Sequence, residues 1–149
     1  MVFNSQNIGK TTRVKSIVPI LLILALATAY GIWHRRTRGV VKPRQNKYGS
    51  LNEEALGAPL GANATLVQFS TVFCTPCRAT KSLLQNIVAD MPGVAHIDID
   101  AEERLELVRK LDIRSTPTTL FLDSQGLEVG RAVGAPSRAQ VLTALQALH

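Results

Sequence analysis

The hydrophobic pattern changes period along the chain. From residue 16 to residue 33, eighteen residues run without a charge, from Ser16 through Ile20, Leu24 and Leu26 to Trp33. Wound as a helix they span ~27 Å, near the lower limit for crossing a hydrocarbon core. Pro19 falls in the first turn of that segment, where a proline costs least, and Tyr30 and Trp33 stand where interfacial aromatics are expected. Residues 35–50 then show no apolar period and are broken by Gly39, Pro43 and Gly49. Beyond residue 51 the runs shorten. Residues 65–70 predict a strand; Leu83, Leu84, Ile87 and Val88 predict one buried helix face that ends near Ala89, before Met91, Pro92 and Gly93; and residues 93–100 alternate as a second strand. Asp100 with Glu103 forms a capping-box pattern ahead of Leu105, Leu107, Val108 and Leu111. Residues 118–122 and 127–133 form a hairpin around residues 123–126, and Ser137 with Gln140 opens a last helix carrying Val141, Leu142, Leu145 and Leu148. The order is βαβαββα, an α/β domain over residues 51–149 preceded by one hydrophobic helix, with no internal repeat.

Charge divides the chain in the same place. Residues 1–50 hold nine basic residues and no acid, whereas residues 51–149 hold eight basic residues and all eleven acids. The basic pI therefore belongs to the N-terminal part alone, which excludes a nucleic-acid partner as the reading of the whole chain. Residues 1–15 are a basic tail, residues 16–33 a signal anchor crossing the membrane once, and residues 34–50 a basic flexible linker. A cleavable signal peptide is the rival, since Lys10, Arg13 and Lys15 precede the apolar run and Ala25-Leu26-Ala27 or Ala27-Thr28-Ala29 resembles a cleavage site. The apolar run continues past both and ends on Arg35, Arg36 and Arg38, which favours the anchor. Three basic residues precede the run and six follow it (Arg35, Arg36, Arg38, Lys42, Arg44, Lys47), so the positive-inside rule points to a cytoplasmic domain, an extracytoplasmic one being the alternative. The linker cations are placed to lie near anionic headgroups, at about 1 kcal/mol for each that reaches the surface; a plain solvated linker is the alternative.

The two cysteines are the candidate chemistry. Cys74 and Cys77 flank Thr75 and Pro76, directly after the strand at 65–70 and at the start of a helix-patterned stretch. Thr75 suits the N-cap and Pro76 the first helical position. Three residues is just under one turn, so the two sulfurs can close into a disulfide, with Cys74 at the tip and Cys77 turned inward. At a helix N-terminus, free N–H groups and the helix dipole favour a thiolate at Cys74, the form that attacks disulfides. A zinc site would need two more ligands, yet no third cysteine exists and His34, His96 and His149 are scattered. A purely structural disulfide across so short a loop would remove little unfolded-state entropy. No metal and no cofactor is called for.

Taken together, Leu66-Val67-Gln68-Phe69, Phe73-Cys74-Thr75-Pro76-Cys77-Arg78, Asp98-Ile99-Asp100, the stretch from Leu111 to Thr118, and Val133-Gly134-Ala135 resemble the thioredoxin family across residues 65–148. The resemblance implies a thioredoxin-like fold, a central mixed sheet flanked by helices. It implies that Cys74 is the nucleophile and Cys77 the resolving thiol, that Pro117 is a cis proline facing them, and that Thr116 offers backbone hydrogen bonds to an extended substrate. Phe73, Thr75, Pro76 and Gly134 complete the implied substrate surface. Four positions depart from the family pattern. Gln68 stands where a buried aspartate is usual, His96 where a lysine is common, Phe73 replaces tryptophan, and Thr75 replaces glycine. Gln68 and His96 are thus the candidate modulators of proton transfer, His96 either as base for Cys77 or as a neutral partner of Gln68. The expected function is a membrane-tethered oxidoreductase that reduces protein disulfides and draws on an unidentified electron donor. The alternative is a non-catalytic thioredoxin-like interaction module.

Overall fold

The computed structural model describes residues 11–37, 39–43 and 48–148. Two units are distinguished, Met1–Thr37 and Arg38–His149. The first contributes helix α1, Thr11–Thr37. It starts before the apolar run does, so Pro19 lies inside the helix rather than in its first turn; helix boundaries follow backbone bonding and not hydropathy alone. The large apolar side chains between Ile17 and Trp33 are exposed, and Thr28 returns its hydroxyl to the Leu24 carbonyl at 2.7 Å. Among the described residues no helix is long and apolar enough to cross a membrane; the described side chains of α1 run only from residue 17 to residue 33. Residues 1–10 of the basic tail, Arg38, Arg44 and Lys47, and the side chains of Arg13, Lys15, Arg35 and Arg36 lie outside the described residues.

The second unit is built on a five-stranded mixed sheet. In chain order it comprises β1 (Val41–Pro43), α2 (Glu53–Leu56), β2 (Ala64–Ser70), α3 (Thr75–Ala89), β3 (Val94–Asp100), α4 (Leu105–Lys110), β4 (Thr118–Asp123), β5 (Glu128–Val133) and α5 (Arg138–Gln146). The strands lie side by side as β1-β5-β4-β2-β3, with β2 and β3 parallel and the other pairs antiparallel. Strand β2 has neighbours on both edges and layers on both faces. Ala64 and Leu66 pack with Leu84, Ile87, Val141 and Leu145 of α3 and α5, while Val67 and Phe69 pack with Leu56, Leu107 and Leu111 on the α2/α4 side.

Two sequence expectations are corrected here. The stretch expected as a flexible linker contains β1, whose residues pair with β5 from Val41↔Ala132 to Pro43↔Gly130; a three-residue edge strand takes its order from its neighbour and leaves no alternation to read. Helix α4 starts at Leu105, not at Asp100. The Asp100 carboxylate accepts the Glu102 N–H at 2.8 Å in an Asx turn, the N-cap residue Arg104 gives no side-chain cap, and Leu105 is exposed. The hairpin β4–β5 carries a bulge, with Phe121↔Gly130 followed by Leu122↔Glu128. The extra residue, Val129, turns Glu128 and Arg131 to the same face, which an i,i+3 pair in a regular strand cannot achieve. There they form a buried two-pronged ion pair at 2.6 and 2.8 Å, and Arg131 also donates to the Leu111 carbonyl at the end of α4, 3.0 Å away. The last helix starts as expected, with the Ser137/Gln140 capping box formed.

A chain beginning at Leu51 loses β1 and the packing of Tyr48 against the α2/α4 core. It should be less stable than one beginning at Gly39 by about 1–3 kcal/mol, the net worth of a few hydrogen bonds and one contact, seen as a lower urea midpoint. Arg131→Ala leaves Glu128 charged and buried; about 3–5 kcal/mol of stability should be lost.

Candidate active site

Strand directions bring the candidate residues to one edge of the sheet. Parallel β2 and β3 finish together at Ser70↔Asp100, and antiparallel β4 begins beside them at Thr118, across from Phe69 on one side and Val133 on the other. The cysteine loop after β2, the Thr116–Pro117 turn before β4 and Gly134 after β5 therefore share that edge, the usual place for a site in an open α/β sheet. The Thr71 and Thr116 hydroxyls are 3.4 Å apart, and the Gly134 N–H donates to the Pro117 carbonyl at 2.8 Å. The Thr116–Pro117 peptide is cis. Gly134 sits at φ 92°, a conformation that only glycine adopts readily.

Cys74 and Cys77 form a disulfide, with an S–S distance of 2.01 Å and Cα atoms 5.2 Å apart. Cys74 itself is the N-cap of α3, one residue before the expected Thr75, and Pro76 follows in the first turn. A cysteine sulfur takes the place of the oxygen cap: the Cys77 N–H donates to Cys74 Sγ at 3.2 Å. The Cys74 carbonyl accepts from the N–H groups of Cys77 and Arg78. Cys74 is half-buried and Cys77 only 2 % exposed, because residues 77, 80, 84 and 87 form the inward stripe of α3. Phe73 projects almost entirely into solvent, at 95 % exposure, beside exposed Val72, Thr75 and Pro76.

Beneath the disulfide lies a chain of polar contacts. Gln68, fully buried on β2, donates both amide hydrogens, to the Cys77 carbonyl at 2.9 Å and to Ser70 Oγ at 2.8 Å; its Oε1 has no partner. The Ser70 hydroxyl passes on to Asp98 Oδ1 at 2.7 Å, and Lys81 of α3 pairs with Asp98 Oδ2 at 2.8 Å. Pairing with β3 puts Asp98 opposite Gln68 and His96 opposite Leu66. The expected Gln68–His96 contact is therefore not made; the amide is committed to Ser70 and Cys77, and His96 Nε2 is buried without a partner. Burial lowers the His96 pKa, with Asp98 acting against that and Lys81 adding to it. Ser70, Lys81 and Asp98 are the site residues that sequence reasoning missed. The alternation of residues 94–100 placed His96, Asp98 and Asp100 on one face, but nothing local to the sequence supplied the register that sets Asp98 against Gln68.

Two measurements check this account. Gln68→Ala removes two hydrogen bonds beneath the disulfide and leaves a cavity in the buried layer, so about 1–3 kcal/mol of stability should go. His96 has a folded pKa below its unfolded value near 6.5, so below that pH the unfolded chain binds the proton more readily. Its contribution is full above 6.5 and is lost as pH falls from there towards the folded value. Urea unfolding from pH 7.5 to 5 should show this loss, and His96→Leu should flatten that part of the profile.

Comparison with known proteins agrees with the fold. The thioredoxin family model matches residues 50–147. Thioredoxin H5 of Oryza sativa subsp. japonica is 33% identical over 69 residues, 46% of this chain and 50% of that protein. A thioredoxin of Mycolicibacterium smegmatis is 32% identical over 99 residues, 64% of this chain and 85% of that protein. This chain thus spans about half the length of the rice relative and most of the bacterial one. Among solved structures, a thioredoxin from Nicotiana alata superposes with a TM-score of 0.54 at 25% identity, covering 59% of this chain and 75% of that one. Since the family match takes in strands β2 to β5, both helical layers and the disulfide edge, the chain belongs to the thioredoxin family.

Proposed function

We propose that this protein is a membrane-anchored thiol–disulfide oxidoreductase that reduces protein disulfides in the cytoplasm. The observation that carries the reading is the asymmetry of the cysteine pair: Cys74 is reachable at a helix N-terminus, and Cys77 is buried directly behind it. In the dithiol form the Cys77 N–H and the open first turn of α3 stabilise negative charge on Cys74 Sγ. The Cys74 thiolate attacks one sulfur of a substrate disulfide, forming a mixed disulfide and releasing the other substrate sulfur as a thiolate. Cys77, as a thiolate, then attacks Cys74 Sγ. The Cys74–Cys77 bond forms, the bond to substrate breaks, and two electrons have passed from the domain to the substrate. A dithiol donor must return them. Phe73 and Val72, next to Cys74 in the chain, and Val133 on the same edge of the sheet are exposed and apolar, and the Thr116 backbone offers an extended chain hydrogen bonds. Such a surface fits a partly unfolded or loop disulfide in a protein rather than a small polar thiol.

Anchoring rests on α1. Its exposed run of isoleucine and leucine side chains lacks any polar face that water would solvate, and the charge-free stretch of the sequence extends to Ser16. The larger number of basic residues after that stretch than before it supports a cytoplasmic domain.

The chemical reading is tested with the full chain in detergent. It should accelerate insulin reduction by dithiothreitol, and Cys77→Ser should accumulate mixed disulfides that Cys74→Ser does not. No acceleration would leave a binding module, and equal trapping by both variants would reverse the assigned roles. For the anchor, the chain should stay with membranes through carbonate extraction. Protease added to spheroplasts should spare the domain; digestion with cytoplasmic markers intact would place it outside.

A further inference from the structure

Reduction in two steps needs a base for Cys77, whose thiol must lose its proton before it can attack. Gln68 occupies the buried position on β2 behind it, and an amide is neither acid nor base at neutral pH. His96 is on the same strand face as Asp98 but opposite Leu66, two residues further from the cysteine edge than the Gln68–Asp98 pair. Asp98 is placed differently. It is one hydrogen bond from Ser70 and two from Gln68, the residue that holds the Cys77 carbonyl. A cleft of about 200 Å³ opens between the start of α3 and the ends of β2 and β3, and its walls include Cys77, Ser70, Asp98, Asp100, Lys81 and Arg78. That is room for several waters, enough to bridge a thiol and a carboxylate.

Building on the oxidoreductase reading above, we propose that Asp98, acting through water in this cleft, accepts the proton of Cys77 during release of the substrate. The Cys77 S–H bond breaks towards water while the carboxylate takes a proton from that water. The Cys77 electron pair forms the new S–S bond, and the substrate sulfur leaves with the pair of the bond that breaks. The proton on Asp98 then goes to the departing thiolate or to solvent. Gln68 and Ser70 act as positioning residues: one fixes the Cys77 backbone, and the other orients the carboxylate by donating to Oδ1. The charged and titratable groups facing Asp98 are Lys81 and Arg78 from α3 and His96 and Asp100 from β3; β2 supplies none. Lys81 pairs with Asp98 Oδ2 at 2.8 Å, leaving Oδ1 to Ser70. The base thus stands on the wet wall of the cleft, where holding a carboxylate costs less than at the fully buried position of Gln68.

The test uses the reduced full chain in detergent and 5,5′-dithiobis(2-nitrobenzoate), which releases one coloured thiolate when Cys74 attacks and a second when Cys77 resolves the mixed disulfide. Because this leaving group needs no proton, the second phase reads proton loss from Cys77. Asp98→Asn should slow that phase about ten- to a hundredfold at pH 7, the lower range for loss of a general base. Its rate should then rise about tenfold per pH unit towards pH 9, following the thiolate fraction, and meet that of the unsubstituted chain, whose profile is flatter. Asp98→Glu should recover part of the rate. Lys81→Met, which frees Asp98 Oδ2 to accept from water in the cleft, should speed the second phase and gives a readout should Asp98→Asn not fold. Parallel pH profiles for the Asn variant and the unsubstituted chain, or a slower second phase in Lys81→Met, would overturn the assignment. A Cys77→Ser chain that releases no first thiolate would instead remove the oxidoreductase reading itself.

Discussion

Strand β2 is the constraint on which the domain depends. It is hydrogen-bonded on both edges, to β3 and β4, and all but its last residue is buried, so its position cannot shift without disturbing both core layers. Its end fixes where the chain turns into α3, and hence where the disulfide lies. The direction of β3 brings Asp98 and Asp100 to that end, and the reversal of β4 brings the Thr116–Pro117 peptide there as well. A site assembled from four separated segments thus follows from one strand order. Close packing keeps such a strand in a single arrangement, since a core has few other ways to fill the same volume.

Within this frame the buried polar residues divide by what they hold. On the α3 side, Gln68 donates to a carbonyl of the first helical turn and ties it to the end of β2. An aspartate there would have to be ionised in a desolvated place or stay protonated, whereas an amide can donate twice without charge. The unpartnered Gln68 Oε1 and His96 Nε2 show the polarity of this layer to be incompletely matched, a cost that burial of Leu66, Leu84 and Ile87 around them must offset. The site does hold a carboxylate, that of Asp98. It sits at the rim on β3, paired with Lys81, where solvent and an ammonium share its charge.

Much of the domain was legible because its signals are local. The mostly apolar run of β2, the Cys74–Cys77 spacing, the stripe through Leu84 and Ile87, the Ser137/Gln140 box and the hairpin turn each lie within one or two turns of chain, and each formed. What was missed depends on partners distant in sequence. Edge strand β1 shows no pattern of its own, because its order comes from β5. Asp100 in an acidic cluster looks like a helix cap, yet its carboxylate closes a tight turn and the helix waits until Leu105. Asp98 reads as a solvent-facing strand residue until the register with Gln68 is known. Glu128 and Arg131 look like the polar side of an edge hairpin; only the bulge at Val129 turns them together and inward.

That buried pair bears on the site as well as on the core. Arg131 spends two nitrogens on Glu128 and a third on the Leu111 carbonyl, so β5 is tied to the end of α4 at the point where the chain leaves for Thr116 and Pro117. The residues between are short of apolar anchors: Asp112 takes a positive φ of 53°, Arg114 is exposed with its ion pair to Asp112 at 2.8 Å, and only Ile113 packs on the core. A hydrophobic pair in place of Glu128 and Arg131 could fill the same volume and would cost less to bury, but it would leave the Leu111 carbonyl without its donor and the segment without this hold. The ion pair is therefore better understood as fixing where the Pro117 turn starts than as a source of net stability. Position, more than binding strength, is what an exchange reaction between three sulfurs in line requires of its scaffold.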